Sequence, residues 1–251
     1  MLNDQMTTDS SLASRGRGNQ EGLPRLGFFV RLNVLSACAG VLAFCSFAGG
    51  VRAGEILFQD DFAGKLGKGW SWVREHPQAW RVTPRGLEVL IEPGNMWGPS
   101  NNARNVLVRP APDATNREIE ISVKVENQPS HQYEQVDLVW YYDDSHMVKL
   151  GQELVDGKLS VVMGREEKDK TRTVAIMPLE SVTVRLRLFV KGDRIRGQFR
   201  SSDAGEWRNA GECGLPAPAN GKAKISLQFY QGAAGVEHWA RVTEFRVRAA
   251  E

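Results

Sequence analysis

Cysteine is scarce in this chain. There are 3 in 251 residues, and two of them, Cys38 and Cys45, lie in an apolar stretch near the start. Cys213 therefore has no partner beyond residue 53, and no internal disulfide can staple that part of the chain. With no histidine close by in sequence, Cys213 reads as a small buried or half-buried side chain in a turn rather than as a nucleophile. Net charge is scarce too. The formal value is +2, and beyond residue 53 acidic and basic side chains are equal in number, so no basic field attracts nucleic acid without sequence preference. His76, His131, His146 and His238 are far apart and form no metal-ligating spacing, which argues against zinc. There is no nucleophile-elbow serine motif, no glycine-rich phosphate loop and no long-period repeat, so esterase, nucleotide-binding and propeller or solenoid readings fall away.

The one long hydrophobic run lies near the start. Residues 1–26 are polar, lack any helical or strand period, and are expected to be a disordered leader. Residues 27–53 place Arg25 and Arg31 ahead of an apolar stretch from about Leu32 to Ala48 that ends in small residues. Val51 and Ala53 occupy the −3 and −1 positions of a signal-peptidase cut after Ala53, so export to the periplasm or outside is expected. The competing uses are an uncleaved membrane anchor, a lipoprotein box at Leu35–Cys38 and a buried core helix. Any membrane contact is expected through this segment alone.

Residues 54–251 show no amphipathic helix. Apolar and polar residues alternate in short segments bounded by Gly, Pro, Asn and Asp. Val182, Val184, Leu186, Leu188 and Val190 mark one apolar face, against Thr183, Arg185, Arg187 and Phe189 on the other. A Lys191-Gly192-Asp193 turn then leads into Arg194–Arg200, where Ile195, Gly197 and Phe199 face inward. Trp207 follows in a loop and is expected to cover the core edge. About fourteen such strands without intervening helices must pair antiparallel, and two packed sheets are the economical arrangement. The fold class is therefore all-β, a two-sheet antiparallel sandwich of residues 54–251.

Three stretches then carry a resemblance: FQDDFAGKLGKGWSWVRE with AWRV and GLEVLIEPGNMW, the hairpin VDLVWYYDDSHMVKLGQE, and VRLRLFVKGDRIRGQFRSSDAGEW. Together they resemble the bacterial laminarinase-like domain also found at the C-terminus of β-xylosidases, over about Ile56 to Val247. The resemblance implies a concanavalin A-like jelly roll whose concave face is commonly used for carbohydrate, with many stand-alone members of unassigned activity. In β-xylosidases the domain accompanies a catalytic propeller, for which these residues carry no pattern. Family 16 glucanases of the same jelly-roll group place two Glu around an Asp on one strand face. Here Glu134 and Asp137 are three apart, on opposite faces of a strand, and a second Glu is missing. No catalytic residue is carried over.

Alternation in the central hairpin turns Val136, Leu138, Trp140 and Tyr142 to the core. Gln135, Asp137, Val139 and Tyr141 then face the other way, beside Met147, Lys149, Gly151 and Glu153 of the return strand. Gln228 and Tyr230 join that side by the same rule, while Trp97 and His238 sit in loops at its rim. An aromatic plane beside carboxylate, amide and ammonium groups suits a sugar ring and its hydroxyls. Trp97, Asp137, Tyr141, Lys149, Glu153, Gln228, Tyr230 and His238 are thus the candidate carbohydrate contacts, expected on a solvent-facing surface. A cross-strand charge network, with Trp97 as loop anchor, is the bland alternative. No cofactor is expected. The Asp60-Asp61 and Asp143-Asp144 pairs could supply oxygens to Ca²⁺, though turn formation is the simpler use. The arginines at 185, 187, 194, 196 and 200 read as a solvated face. A secreted, non-catalytic polysaccharide-binding protein leads, followed by a glycoside hydrolase or lyase using Asp137 and Glu153, and by an envelope protein with no sugar ligand.

Overall fold

The computed structural model describes residues 54–218 and 222–250. The leader, the apolar segment and the expected cleavage position lie outside the described residues. Fifteen strands follow one another: β1 (Ile56–Asp60), β2 (Ser71–Val73), β3 (Trp80–Thr83), β4 (Gly86–Leu90), β5 (Val106–Pro110), β6 (Glu118–Glu126), β7 (Gln135–Asp143) and β8 (His146–Val155). Then come β9 (Lys158–Glu167), β10 (Lys170–Pro178), β11 (Thr183–Lys191), β12 (Arg194–Arg200), β13 (Arg208–Gly214), β14 (Lys224–Tyr230) and β15 (Trp239–Ala250). A single 3-10 turn at Pro77–Ala79 is the only helical piece among the described residues, and no helix there is long and apolar enough to cross a membrane.

The strands form two antiparallel sheets. One runs β13-β12-β11-β6-β15-β4-β3, with β1 also pairing β15. The other runs β10-β9-β8-β7-β14-β5-β2. Their facing sides supply the core, including Val123, Val125, Leu138, Leu150, Leu186, Leu188, Phe199, Leu227 and Phe245, all essentially inaccessible. Each such side chain stabilises the sandwich by roughly 1.5–3 kcal/mol. The Asp156-Gly157 turn joining β8 to β9 has both residues at positive φ, 49° and 72°. That is the twist a two-residue hairpin requires, and it fixes the register that aligns the outward side chains of both strands.

The sandwich expected from alternation is present, with local corrections. Val182 precedes β11 and is exposed, because β11 begins one residue later. Phe189, assigned to the charged face, lies beneath the Arg187 and Arg196 guanidiniums at 4.8 and 3.5 Å, which bury it without turning it inward. Trp207 lies on the outer side of its sheet, with Arg187 3.8 Å from its ring, and not at the core edge. Two strands escaped the pattern: β2 is only three residues long, and β13 carries glycines at 211 and 214. Cys213 is buried on β13, not in a turn, and its burial pushes the thiol pKa up.

Candidate functional site

The outer face of the seven-stranded sheet is not open to solvent. Alternation divides β7 as expected: Val136, Leu138 and Trp140 join the main core with Tyr142 packed against it, whereas Val139, Tyr141, Met147 and Tyr230 form a second cluster on the opposite side. Met96, Ala103, Val106 and Val108 complete that second cluster, with the half-buried Trp97 against it. The expectation of a solvent-facing surface is therefore corrected. Val139, Tyr141 and Met147 are apolar neighbours on adjacent strands, and the loop between β4 and β5 folds over them and removes them from water.

Short-range hydrogen bonds hold the loop. The Asn102 and Ala103 amides donate to the Asn95 carbonyl, and the Asn95 carboxamide oxygen accepts from the Met96 and Trp97 amides at 2.9 and 3.0 Å. Two longer ties fix it to the strands. The Gly98 amide donates to Glu166 Oε2 on β9 at 3.1 Å, and Arg74 Nε donates to the Ala103 carbonyl at 2.6 Å. Arg74 also pairs with Asp144, whose carboxylate accepts from the Tyr141 hydroxyl at 2.7 Å.

Under this loop the strands align a polar cluster. Glu153, Gln135 and Tyr230 form one cross-strand row, Gly151, Asp137 and Gln228 the next, and Lys149, Val139 and Ser226 the third. Asp137, Lys149, Glu153, Gln228 and Tyr230 are all buried. Lys149 Nζ is the hub. It donates to Gln135 Oε1 and to Glu153 Oε2 (3.1 Å), stands 3.9 Å from Asp137 Oδ2, and lies 4.8 Å from the Trp97 ring centre and 5.9 Å from that of Tyr230. Asp137 and Glu153 do not pair across the hairpin; a single ammonium separates them.

Two glycines make the space. A Cβ at Gly151 would fall 1.5 Å from Asp137 Oδ1, and one at Gly164 would fall 2.5 Å from the Trp97 ring. Despite the close packing, several buried polar atoms have no hydrogen-bond partner: Gln228 Oε1, the Ser226 hydroxyl and Glu166 Oε1; the Tyr230 hydroxyl and the Asp137 carboxyl face one another. Native interiors pair nearly all such atoms.

Burial controls the protonation here. It raises the Asp137 carboxyl to about 6, with Lys149 opposing and Glu153 adding to the shift. It raises Glu166 to about 7 against the Gly98 amide, and pushes Tyr230 well above its ordinary range. Next to the cluster, His238 pairs with the buried Glu134. Burial alone would lift the Glu134 pKa, but His238 and the Ser130 and His131 amides outweigh it and hold the carboxyl low. Glu134 immediately precedes β7, and its carboxylate is held by His238.

Of the eight candidate contacts, the fold brings Trp97, Asp137, Lys149, Glu153, Gln228 and Tyr230 together. Tyr141 is turned to Asp144, and His238 is engaged by Glu134. Gln135, Gly151, Gly164 and Glu166 belong to the same site. Alternation along β9 could have revealed Glu166, because it lies in register with Met147 of β8. The Asp pairs have structural partners. Asp60 accepts from the Phe62 and Gly67 amides and the Trp70 indole, and Asp143 accepts from the Ser145 amide and lies 2.8 Å from His146 Nδ1. Among the described residues no group of three or more His, Cys, Asp or Glu is placed to hold a metal ion.

The profile of the β-xylosidase C-terminal concanavalin A-like domain matches residues 59–233. The chain belongs to that family. Among solved structures the GH43 protein BlXynB from Bacillus licheniformis aligns with a TM-score of 0.67 at 18% identity, over 76% of this chain and 39% of that one. The xylan β-1,4-xylosidase from Bacillus halodurans C-125 aligns at 0.65 and 19% identity, over 76% and 38%. A functionally unknown protein from Saccharomyces cerevisiae aligns at 0.57 and 15% identity, over 72% of this chain and 96% of that one. The chain thus spans only about two-fifths of the two bacterial proteins, and at these identities the likeness concerns the fold. No match was found among curated proteins.

Proposed function

We propose that this protein is an exported, non-catalytic polysaccharide-binding β-sandwich whose ligand reaches the buried cluster around Lys149 only when the β4–β5 loop bearing Trp97 moves aside. The observation that carries this reading is the buried polar cluster on adjacent strands, in which Ser226 and Gln228 each keep a polar atom without a partner beside Asp137, Tyr230 and Lys149. A buried polar atom left unpaired costs about 1–3 kcal/mol, so holding several together is explained by a ligand that pairs them. Sugar hydroxyls both donate and accept, and Trp97 offers an aromatic face beside them. The family's association with xylosidases makes β-1,4-xylan the first ligand to try. Affinity electrophoresis through xylan, arabinoxylan and laminarin gels tests this. Retention by at least one gel that is lost in Trp97→Ala and Asp137→Ala is expected, and no retention by any of them would overturn the proposal.

A glycoside hydrolase or lyase is the second reading. It is favoured by two carboxyls, Asp137 and Glu166, whose pKa values of about 6 and 7 suit proton transfer near neutrality. Reducing-sugar release from the same polysaccharides, abolished by Glu153→Gln or Glu166→Gln with the fold intact, would replace the binding reading by the catalytic one.

A further inference from the structure

The outer face of the eight-stranded sheet carries a second feature that the glycan cluster does not use. Arg187 of β11 and Arg246 of β15 are the two cross-strand neighbours of Ser122 on β6, each about 4.8 Å away across the sheet. The small serine leaves a cleft of about 350 Å³, lined also by Arg185, Arg200, Arg248 and Trp207. Five arginines meet two glutamates, Glu120 and Glu244, along its walls.

Among the described residues the local acids pair three of the five arginines and leave two without a carboxylate partner. Arg185 pairs with Asp203 and Glu244, and Arg246 pairs with Asp61 at 2.8 Å, but Arg187 stands 3.9 Å from Glu120. Among the described residues Arg200 and Arg248 have no carboxylate within ion-pair distance, and the Nε of each is buried without a hydrogen-bond partner. Arg187 is locked in place: Nε and an amino group donate to Gln198 Oε1 at 2.9 and 2.6 Å, and the guanidinium stacks on Trp207. Burial above all lowers the Arg187 pKa, with Arg196 and Arg200 adding repulsion against the attraction of Glu120. The cleft is thus a rigid cationic notch in need of an anion.

We infer that this notch binds the carboxylate of a uronic acid unit in an acidic polysaccharide, independently of the cluster around Lys149. A planar carboxylate matches the fork of a guanidinium, and Ser122 lines the cleft between the arginines. Glu118, Glu120 and Glu244 on the same face oppose any polyanion, uronate or phosphate alike, so the notch holds one carboxylate at a time and the DNA arm of the test decides between the two.

Affinity electrophoresis of the full chain through polygalacturonate and alginate, with neutral xylan and a DNA duplex as the other arms, tests this site. Wild type is expected to be retarded by at least one acidic gel, and to lose most of that retardation as salt rises from 50 to 300 mM. Arg248→Gln and Ser122→Glu are each expected to weaken it about tenfold, while Arg194→Gln, which removes an exposed arginine of the same sheet outside the notch, leaves it unchanged. Arg248 has no ion pair to lose, so its variant keeps the test valid even if Ser122→Glu misfolds. Equal retardation of wild type and Arg248→Gln, no retardation by either acidic gel, or stronger retardation by DNA would overturn the inference. Failure of the Lys149 cluster to bind xylan would not affect it.

Discussion

The outer faces of the two sheets both carry charge, but in opposite settings. On the eight-stranded sheet, charged side chains lie on the surface and several meet opposite charges on neighbouring strands, as with Arg196 and Glu118 at 3.1 Å or Arg241 and Glu126 at 2.6 Å. Outside the notch at Ser122, water is available to most of what a neighbour leaves unpaired, and such pairs add little stability. On the seven-stranded sheet, Asp137, Lys149 and Glu153 lie beneath a loop, where removing each charge from water costs several kcal/mol that one shared ammonium offsets only in part. The first arrangement is what solubility requires. The second opposes stability.

The sharpest way to break this contrast is to remove the hub. Lys149→Met leaves two buried carboxyls without a cation and is expected to cost about 3–5 kcal/mol in urea unfolding at pH 7. A loss comparable to that of a surface substitution would mean that the cluster is wetter than its burial indicates. Asp137→Asn should act the other way. In the folded chain the Asp137 carboxyl takes up its proton near pH 6, against an ordinary value of 3.8, so its stabilising contribution is complete below the ordinary value and is lost as pH rises through about 6. The asparagine variant is therefore expected to match wild type near pH 4 and to exceed it by about 2 kcal/mol near pH 7, in unfolding curves collected across that range.

Gly151→Ala sharpens the geometry, since its methyl would meet Asp137 Oδ1 head-on. About 1–3 kcal/mol of destabilisation is expected from calorimetry. It should shrink when Asp137→Gly is added; equal losses in both backgrounds would place the clash elsewhere. The smallest effect belongs to the other face. Arg194 and Glu212 pair at 2.6 Å with side chains 59% and 49% exposed, so Arg194→Ala should leave the melting temperature unchanged.

The sandwich itself was legible from strand alternation because the buried side of each long strand is apolar at every second position, as in β6 and β11. The same alternation identified which side of β7 and β8 bears Asp137, Lys149 and Glu153. It could not tell that this side is covered, because period-two patterning assigns faces but is blind to a loop arriving from 40 residues earlier. The available signal is Met96 and Trp97, two large apolar side chains within a Gly- and Asn-rich segment. The spacing also left Glu166 apart from the site, since its contact with Gly98 spans 68 residues. The hub role of Lys149 depends on register: it was visible as a charge on the correct face, but the convergence of Gln135 and Glu153 on its ammonium follows from the antiparallel pairing of β7 and β8.

Melting wild type and Asp137→Asn at pH 7, each with and without a xylan oligosaccharide, bears most directly on whether the buried polar cluster exists for a glycan. The expected result is a variant that melts above wild type when alone and gains nothing from the oligosaccharide, while wild type gains several degrees. Equal gains in both proteins, or an asparagine variant that melts below wild type, would contradict it.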